Sequence, residues 1–243
     1  MVIANADHSI QADVIFVVEA TAICGAYLND IKSNYIIPTV EYFSQGSVEE
    51  REYIAENNNV TYVIVTYYAA DCLPNPSSDS YGPYTSPQKL LSVLDKIEMV
   101  GGKCEAYANI AEGLATALQC FEDLQARHVG EPSTSNGAAS ASPGSIATLS
   151  SQQQVQHVQK HCILICNSPP YSLPVMESFA YAGHTAEQLA SLLQERGINL
   201  SIMSPRKIPA LFKLFDKAGG DLQASQTKNY TKDPRHLVLL KGF

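Results

Sequence analysis

The sequence lacks the segments that carry a protein into or across a membrane. It contains no apolar run of the ~18 residues that a membrane-spanning helix requires. Its opening residues, Met-Val-Ile-Ala-Asn-Ala-Asp, lack the basic stretch and the long apolar core of a signal peptide. We therefore expect no membrane partner and a reduced intracellular compartment.

The glycine-rich, nucleophile and zinc motifs of common enzymes are also missing. The turn at 19–25 reads Glu-Ala-Thr-Ala-Ile-Cys-Gly, which is too bulky to close on a pyrophosphate. Gly101-Gly102-Lys103 shares only glycine and lysine with a P-loop, and no Gly-x-Ser-x-Gly elbow occurs. The six cysteines lack zinc-ligand spacing. We predict a protein that is not an enzyme and binds no cofactor; a catalytic group assembled from distant residues stays open.

Charge is distributed unevenly along the chain. The formal net charge is −8, but residues 206–243 hold eight lysines and arginines against three aspartates, a net charge of +5 that leaves −13 for the rest. Such a basic end can dock an acidic partner or can simply be a solvated surface, and we favour the second interpretation. The basic residues are dispersed, which does not indicate direct nucleic-acid binding.

The stretch Asp13–Ile23 organises the predicted fold. Its residues 14–18 form a continuous, mostly β-branched apolar run, which is typical of a strand buried on both faces of a parallel sheet. Glu19 and Thr21 follow directly, and a helical pattern begins after them. In open α/β sheets, ligands bind beyond the carboxyl ends of the strands. Glu19 and Thr21 therefore mark where a site would lie.

Apolar runs and helical periodicities alternate along the rest of the chain. The later strands are predicted at 60–68, 161–166, 198–203 and 236–240, with a short edge strand near 81–84. Helices are predicted at 25–43, 87–100, 107–127, 185–196 and 207–218, with Pro38 kinking or dividing the first.

This alternation predicts an α/β fold with one doubly wound, mostly parallel sheet covered by helices on both faces. We expect a single domain over residues 1–243. Residues 129–156 are dominated by Ser, Ala, Gly, Gln and Thr, and we interpret them as a disordered insertion within that domain.

The order of elements resembles a von Willebrand factor type A domain, a Rossmann-like fold, and in particular the type A domain of a Mediator coactivator subunit. The resemblance lies in the stretches Ala12–Ala22, Tyr35–Phe43, Ala111–Leu118, Ile163–Tyr171, Ser201–Leu211 and Asp233–Gly242. It implies a nuclear, non-enzymatic interaction domain that docks its subunit onto other Mediator subunits. Transcription activators and RNA polymerase II would then be indirect partners.

Type A domains commonly carry a metal-ion-dependent adhesion site, with the motif Asp-x-Ser-x-Ser, a threonine in a later loop and an aspartate after the fourth strand. Magnesium prefers such hard oxygen ligands. The corresponding positions here are Glu19, Thr21, Ile23, the loop 101–105 and Asn167. Two hydroxyls and one carboxylate are lost, so we predict no bound metal, with Glu19 hydrogen-bonded at the end of the sheet near Lys103. The alternative is an adhesion-type domain that keeps a weak magnesium site through Glu19, Thr21 and Asn167.

Candidate partner-binding residues lie in the loops beyond the predicted strand ends. Their sequences are specific to the Mediator type A domain that this chain resembles, and we expect their side chains to be exposed. These residues are Pro169, Pro170, Tyr171, Arg206 and Lys207.

Overall fold

A computed structural model of the chain describes residues 11–44, 59–69, 76–104, 106–130 and 158–243. The described strands are β1 Ala12–Glu19, β2 Val60–Tyr67, β3 Ser78–Tyr84, β4 Gln159–Ile165, β5 Ile198–Ser204 and β6 Leu237–Leu239. The described helices are α1 Ala22–Ile31, α2 Ile37–Ser44, α3 Pro87–Leu94, α4 Ile110–Gly130, α5 Ala186–Glu195, α6 Pro209–Lys217 and α7 Leu222–Thr227, with a π-helical turn, Lys32–Ile36, between α1 and α2.

The six strands form one sheet in the order β3-β2-β1-β4-β5-β6. Strand β1 is central and runs parallel to both neighbours, so that Phe16 lies between Ile64 of β2 and Ile163 of β4. Every residue of β1 is buried, which confirms the prediction of a strand covered on both faces. Strands β3 and β6 are antiparallel to their neighbours and close the two edges. The predicted α/β, mostly parallel sheet is therefore confirmed.

Alternate side chains of the sheet enter two separate cores. On one face, Ile15 and Val17 pack with residues of α4, α5 and α6, including Leu114 and Leu193. On the other face, Val14 and Phe16 pack with residues of α2 and α3, including Val40 and Leu90. This two-sided burial follows from the period-2 alternation of side chains along each strand.

The first predicted helix is interrupted just before Pro38, by the π-helical turn Lys32–Ile36. The π-helical turn ends immediately before α2, and the amide of Ile37 donates to the carbonyl of Lys32, five residues earlier. A proline ring collides with the carbonyl four residues before it in a regular helix, and a wider turn accommodates that ring.

Several boundaries differ from the predictions. Helix α3 ends at Leu94 instead of Val100, because the backbone of Val100 is drawn to the end of β1, where its amide donates to the Ala20 carbonyl at 2.9 Å. Helix α7 was not predicted, since its six residues contain only one large apolar side chain, Leu222. Helix α4 begins at Ile110 and continues to Gly130, past the predicted start of the insertion at 129. The remainder of that predicted insertion, from residue 131, lies outside the described residues.

None of the described helices is both long enough and apolar enough to cross a membrane.

A buried carboxylate at the carboxyl ends of the strands

Glu19 is the last residue of β1, and its side chain is fully buried. One carboxylate oxygen, Oε1, accepts hydrogen bonds from the hydroxyls of Thr21 and Ser168, both at 2.7 Å. The other, Oε2, accepts from the backbone amides of Asn167 at 2.6 Å and Ser168 at 2.9 Å. A carboxylate offers about four lone-pair positions, so these four donors saturate it. The carboxylate thereby joins the loop after β4 to the end of β1.

Thr21 performs two tasks with one hydroxyl. Its Oγ1 donates to Glu19 and accepts from the backbone amide of Cys24 at 3.2 Å. The second bond caps α1, and Thr21 has the extended backbone that an N-cap residue requires. The same side chain therefore starts the helix and orients the carboxylate.

The loop after α3 closes over this pair. The Ala22 amide donates to the Gly101 carbonyl at 3.2 Å. Gly102 has a φ of +76°, and a Cβ placed there would lie 2.9 Å from the Cβ of Thr21. Only glycine allows both that backbone conformation and so close an approach. Lys103 is exposed, and the described donors to the Glu19 carboxylate are amides and hydroxyls; the predicted proximity of Lys103 to Glu19 stays a prediction.

Asn167 connects the site to the loop after β5. Its Nδ2 donates to the carbonyl of Ile23 at 3.3 Å, and its Oδ1 accepts from Nε of Arg206 at 2.7 Å. A second nitrogen of Arg206 donates to the Asn167 backbone carbonyl. Arg206 is exposed as predicted, but its guanidinium is engaged within the molecule. A cation therefore already contacts the position where the adhesion-site motif has its last aspartate.

The structure brings Glu19, Thr21 and Asn167 together, whereas Ile23 is exposed and contributes only its carbonyl. One residue and one contact of the site were missed from the sequence. Ser168 could have been found, because it is a hydroxyl residue in the loop that directly follows a buried strand. The pairing of Arg206 with Asn167 could not have been found, since the two residues are 39 positions apart.

The surroundings of Glu19 keep nearby nucleophiles protonated. Burial, and then the Glu19 carboxylate, raise the pKa of the Cys24 and Cys166 thiols well above the ordinary range. The pKa of the buried Tyr67 hydroxyl is raised by burial and by the same neighbours. A thiol acts as a nucleophile or a metal ligand only as the thiolate. Within the described part of the chain, moreover, no three His, Cys, Asp or Glu side chains are grouped as metal ligands.

Pro169, Pro170 and Tyr171, which were predicted to be exposed, are half-buried instead, and the backbone of their loop is held in place. The Ala108 amide donates to the Pro169 carbonyl at 3.1 Å, and the Tyr171 amide donates to the Ala108 carbonyl at 2.9 Å. Lys207, in the neighbouring loop, is exposed. We call the surface formed by Pro169, Pro170, Tyr171, Arg206 and Lys207 the crest.

Further along the loop that follows β4, three large apolar side chains project into solvent. Phe179 is completely exposed, and Met176 and Leu173 are 74% and 50% exposed. The loop is nevertheless anchored, because the buried carboxylate of Glu112 accepts from the Met176 amide at 2.7 Å and the Glu177 amide at 3.2 Å. These exposed residues were missed from the sequence, where Pro, Ser and Gly obscure any periodicity.

The sheet order and the loops around Glu19 define a von Willebrand factor type A domain. Proximal thread matrix protein 1 from the mussel byssus has a similar fold, with a TM-score of 0.52 and 16% sequence identity over 88% of this chain and 41% of that one. The same mussel protein with a zinc-occupied MIDAS motif gives a TM-score of 0.51 at 15% identity, covering 94% of this chain and 48% of that one. At these identities the likeness shows the fold alone.

A family model described as "Mediator complex subunit 25 von Willebrand factor type A" matches residues 8–137 and 133–243, and the chain belongs to this family. Mediator of RNA polymerase II transcription subunit 25 from Homo sapiens is 37% identical over 238 residues, which cover 97% of this chain and 29% of that protein. The same subunit from Xenopus laevis is 37% identical over 241 residues, covering 99% and 27%. The chain thus spans less than a third of the length of these relatives. The family resemblance inferred from the sequence is confirmed.

Proposed function

We propose that this chain is a non-enzymatic protein-interaction domain that docks a Mediator coactivator subunit onto the rest of Mediator. Its setting would be the nucleus, in the regulation of transcription by RNA polymerase II, with activators and the polymerase as indirect partners. The observation that carries the proposal is the family match over nearly the whole chain, which favours this role over an adhesion-type ligand-binding domain. The protonated thiols around Glu19 support a site without catalysis.

We infer further that Glu19 is a structural carboxylate and not a metal ligand. Its four lone-pair positions are taken by internal donors, and the hydroxyl of Thr21 is committed to Glu19 and Cys24. The Arg206 guanidinium holds both oxygens of Asn167. A divalent cation would have to displace these donors and would meet a like charge. The residues present therefore do not fit the metal of the adhesion-site motif.

Calorimetric titration with Mg²⁺ and Mn²⁺ tests this inference about Glu19. We expect only heats of dilution for the wild-type chain, because no described carboxylate at the site has a free oxygen. A saturable heat with micromolar affinity, lost in Glu19→Gln, would support the adhesion-type alternative instead.

Affinity purification from nuclear extract, followed by mass spectrometry, tests the docking role. We expect the wild-type chain to recover Mediator subunits. A crest variant, Tyr171→Ser with Lys207→Glu, should recover fewer, and Phe179→Ser should show whether the apolar projection contributes. Lys96→Glu, an exposed change after α3, is the matched control. Absence of Mediator subunits from the wild-type sample would refute the role, whereas equal recovery by the crest variant would refute only the assigned surface.

A further inference from the structure

A groove runs along the edge strand β6. It has a volume of about 570 Å³ and lies between α2 and the segment 229–232. Its floor is formed by Met203, Val238 and Leu240, and its walls include Tyr42, Tyr230 and Phe243. At one end Phe243 packs on His161 of β4, with ring centroids 5.2 Å apart. Because His161 is near the start of β4, this end of the groove lies towards the amino ends of the parallel strands, whereas the crest follows their carboxyl ends.

A second hollow of about 300 Å³ adjoins the first on the side of α7. The two hollows share Tyr230, Val238, Leu240 and Phe243 as lining residues. They therefore form one continuous depression, which we call the β6 groove. Because this depression follows an edge strand, an extended segment of a partner is the kind of ligand that suits it.

Aromatic rings line the β6 groove without being buried by it. Tyr42, Tyr230 and Phe243 are 45%, 56% and 43% exposed. The ring centroids of Tyr42 and Phe243 are 5.3 Å apart, so these two rings form a joint surface. Tyrosine and phenylalanine are enriched at the centres of protein interfaces, since they bury large areas with few rotatable bonds. The groove thus offers apolar contact area to a partner.

Two lysines at the β6 groove are free to pair with that partner. Lys228 and Lys232 are exposed, and neither ammonium has a hydrogen-bond or ion-pair partner within the described ranges. The neighbouring acids are already engaged: Asp233 pairs with Arg235 at 2.6 Å, and Asp221 caps α7 with its Oδ1. Lys241 donates to the carbonyl of Ala218. The rim is therefore positive in a chain whose net charge is −8.

We propose that the β6 groove binds an acidic segment of a partner protein, which places apolar side chains in the groove and carboxylates on Lys228 and Lys232. Charge complementarity selects such a segment and also speeds its encounter with the groove. Nucleic acid fits less well, because its affinity comes from many phosphate contacts and the described rim of the groove offers only Lys228 and Lys232 as free lysines. The inference concerns a surface separate from the crest and does not depend on the docking role proposed above.

Fluorescence offers a direct test, because the chain contains no tryptophan. Tyr230→Trp places a single reporter in the groove, and Tyr107→Trp places one near the crest as a control. The probe is a short acetylated peptide that alternates aspartate with phenylalanine and leucine. We expect a saturable blue shift for Tyr230→Trp and none for Tyr107→Trp. The reverse result would move the site to the crest and overturn the proposal.

Charge and apolar contacts are then separated by variants. Lys228→Glu with Lys232→Glu should lower the affinity for the peptide at least about tenfold, as expected for reversing charges that pair with a ligand. Lys96→Glu with Lys103→Glu, an equal charge change elsewhere, should leave it unchanged. A peptide with serine in place of phenylalanine and leucine should bind far more weakly.

Three further outcomes would overturn the proposal. If the groove variant (Lys228→Glu with Lys232→Glu) and the control variant (Lys96→Glu with Lys103→Glu) bind the peptide equally well, the groove is not the binding site. If the serine peptide binds as tightly as the original peptide, the binding is unspecific charge attraction. A spectrum of Tyr230→Trp that changes with protein concentration alone would show that a second copy of the chain occupies the groove. Circular dichroism of each variant confirms that a lost signal is not a lost fold.

Discussion

Glu19 makes the folded state depend on one buried charge. Glutamine has the same shape as glutamate but lacks the charge that strengthens the four hydrogen bonds at this position. Its amide NH₂ also replaces one accepting oxygen and would face the hydrogen-bond donors that now contact that oxygen. We expect Glu19→Gln to lower the free energy of unfolding by about 1–3 kcal/mol. Urea titration followed by circular dichroism measures this, with Glu98→Gln, an exposed position, as the control. Equal stability of Glu19→Gln and wild type would contradict the structural role.

His161 gives the stability a defined pH dependence. The ring is buried between Phe43 and Phe243, and burial lowers its pKa to about 4. In the unfolded chain a histidine takes up its proton below a pH of about 6.5. Between these two values the unfolded state binds more protons, so the folded state loses stability as the pH falls from about 6.5 towards 4.

The expected size of this effect is about 2 kcal/mol between neutral pH and a pH near 5. His161→Phe keeps an aromatic ring in the cluster and removes the titration, so its stability should fall less over the same range. Urea titrations of the wild type and of His161→Phe at both pH values measure this difference. The difference in stability between the two proteins at neutral pH gives the packing effect of the substitution alone. Parallel pH profiles for the two proteins would rule His161 out as the source.

The residues around Glu19 show what a sequence can predict about a site. Glu19, Thr21 and Asn167 were predictable as neighbours, because all three lie at or just after the carboxyl ends of adjacent buried strands, where the loops of a parallel sheet meet. Their roles were less predictable. Whether Glu19 meets a cation or a set of amide donors depends on how the loop after β4 turns back, and no pattern in residues 167–171 encodes that turn.

Among the secondary-structure elements, α4 depends on one glycine for its distance from the sheet. A Cβ at Gly113 would lie 2.8 Å from a ring carbon of the fully buried Tyr67. Alanine would favour the helix by about 1 kcal/mol. The collision with the buried ring costs about 1–3 kcal/mol, so the net effect of Gly113→Ala should lie between no change and a destabilisation of ~2 kcal/mol.

Gly25→Ala in α1 is the matched comparison for Gly113→Ala, measured by the same urea titration. Its added Cβ would meet the side chain of Met99 at 3.0 Å, but Met99 is half-buried on a loop and can yield. Because the same helix-propensity gain applies and Met99 can yield, we expect Gly25→Ala to be between equal to the wild type and about 1 kcal/mol more stable. A stabilised Gly113→Ala would show that α4 can shift away from β2.

The elements themselves were largely predictable where burial is strong. The strands β1, β2, β4 and β5 read as apolar runs because both of their faces are covered, and α5 carries the capping box formed by Thr185 and Gln188. Prediction failed where long-range contacts override local pattern. The residues after Leu94 continue a helical periodicity, yet their backbone pairs with the end of β1 instead. The local sequence therefore could not predict that pairing with β1 would replace the last turn of α3.

At the level of the whole molecule, the connection between α4 and β4 joins points that are close in space. The ring of His128, near the end of α4, lies 3.1 Å from the carboxylate of Asp13 in β1. Asp13 is in turn the register partner of Lys160 at the start of β4. Helix α4 therefore ends beside the strand that follows it, and a few residues suffice to join them.

We expect a variant in which residues 131–157 are replaced by a short Gly-Ser linker to keep one cooperative unfolding transition. Because each halving of a flexible loop saves about 0.6 kcal/mol, such a shortening should leave the stability equal or raise it by about 1 kcal/mol. The contrasting variant shortens the loop 172–182, which contributes the buried side chains of Val175 and Tyr181 to the core and should lose several kcal/mol. Thermal and urea unfolding measure both variants. A broad or two-step transition in the first variant would mean that residues 131–157 take part in the core, contrary to their interpretation as an insertion in a single domain.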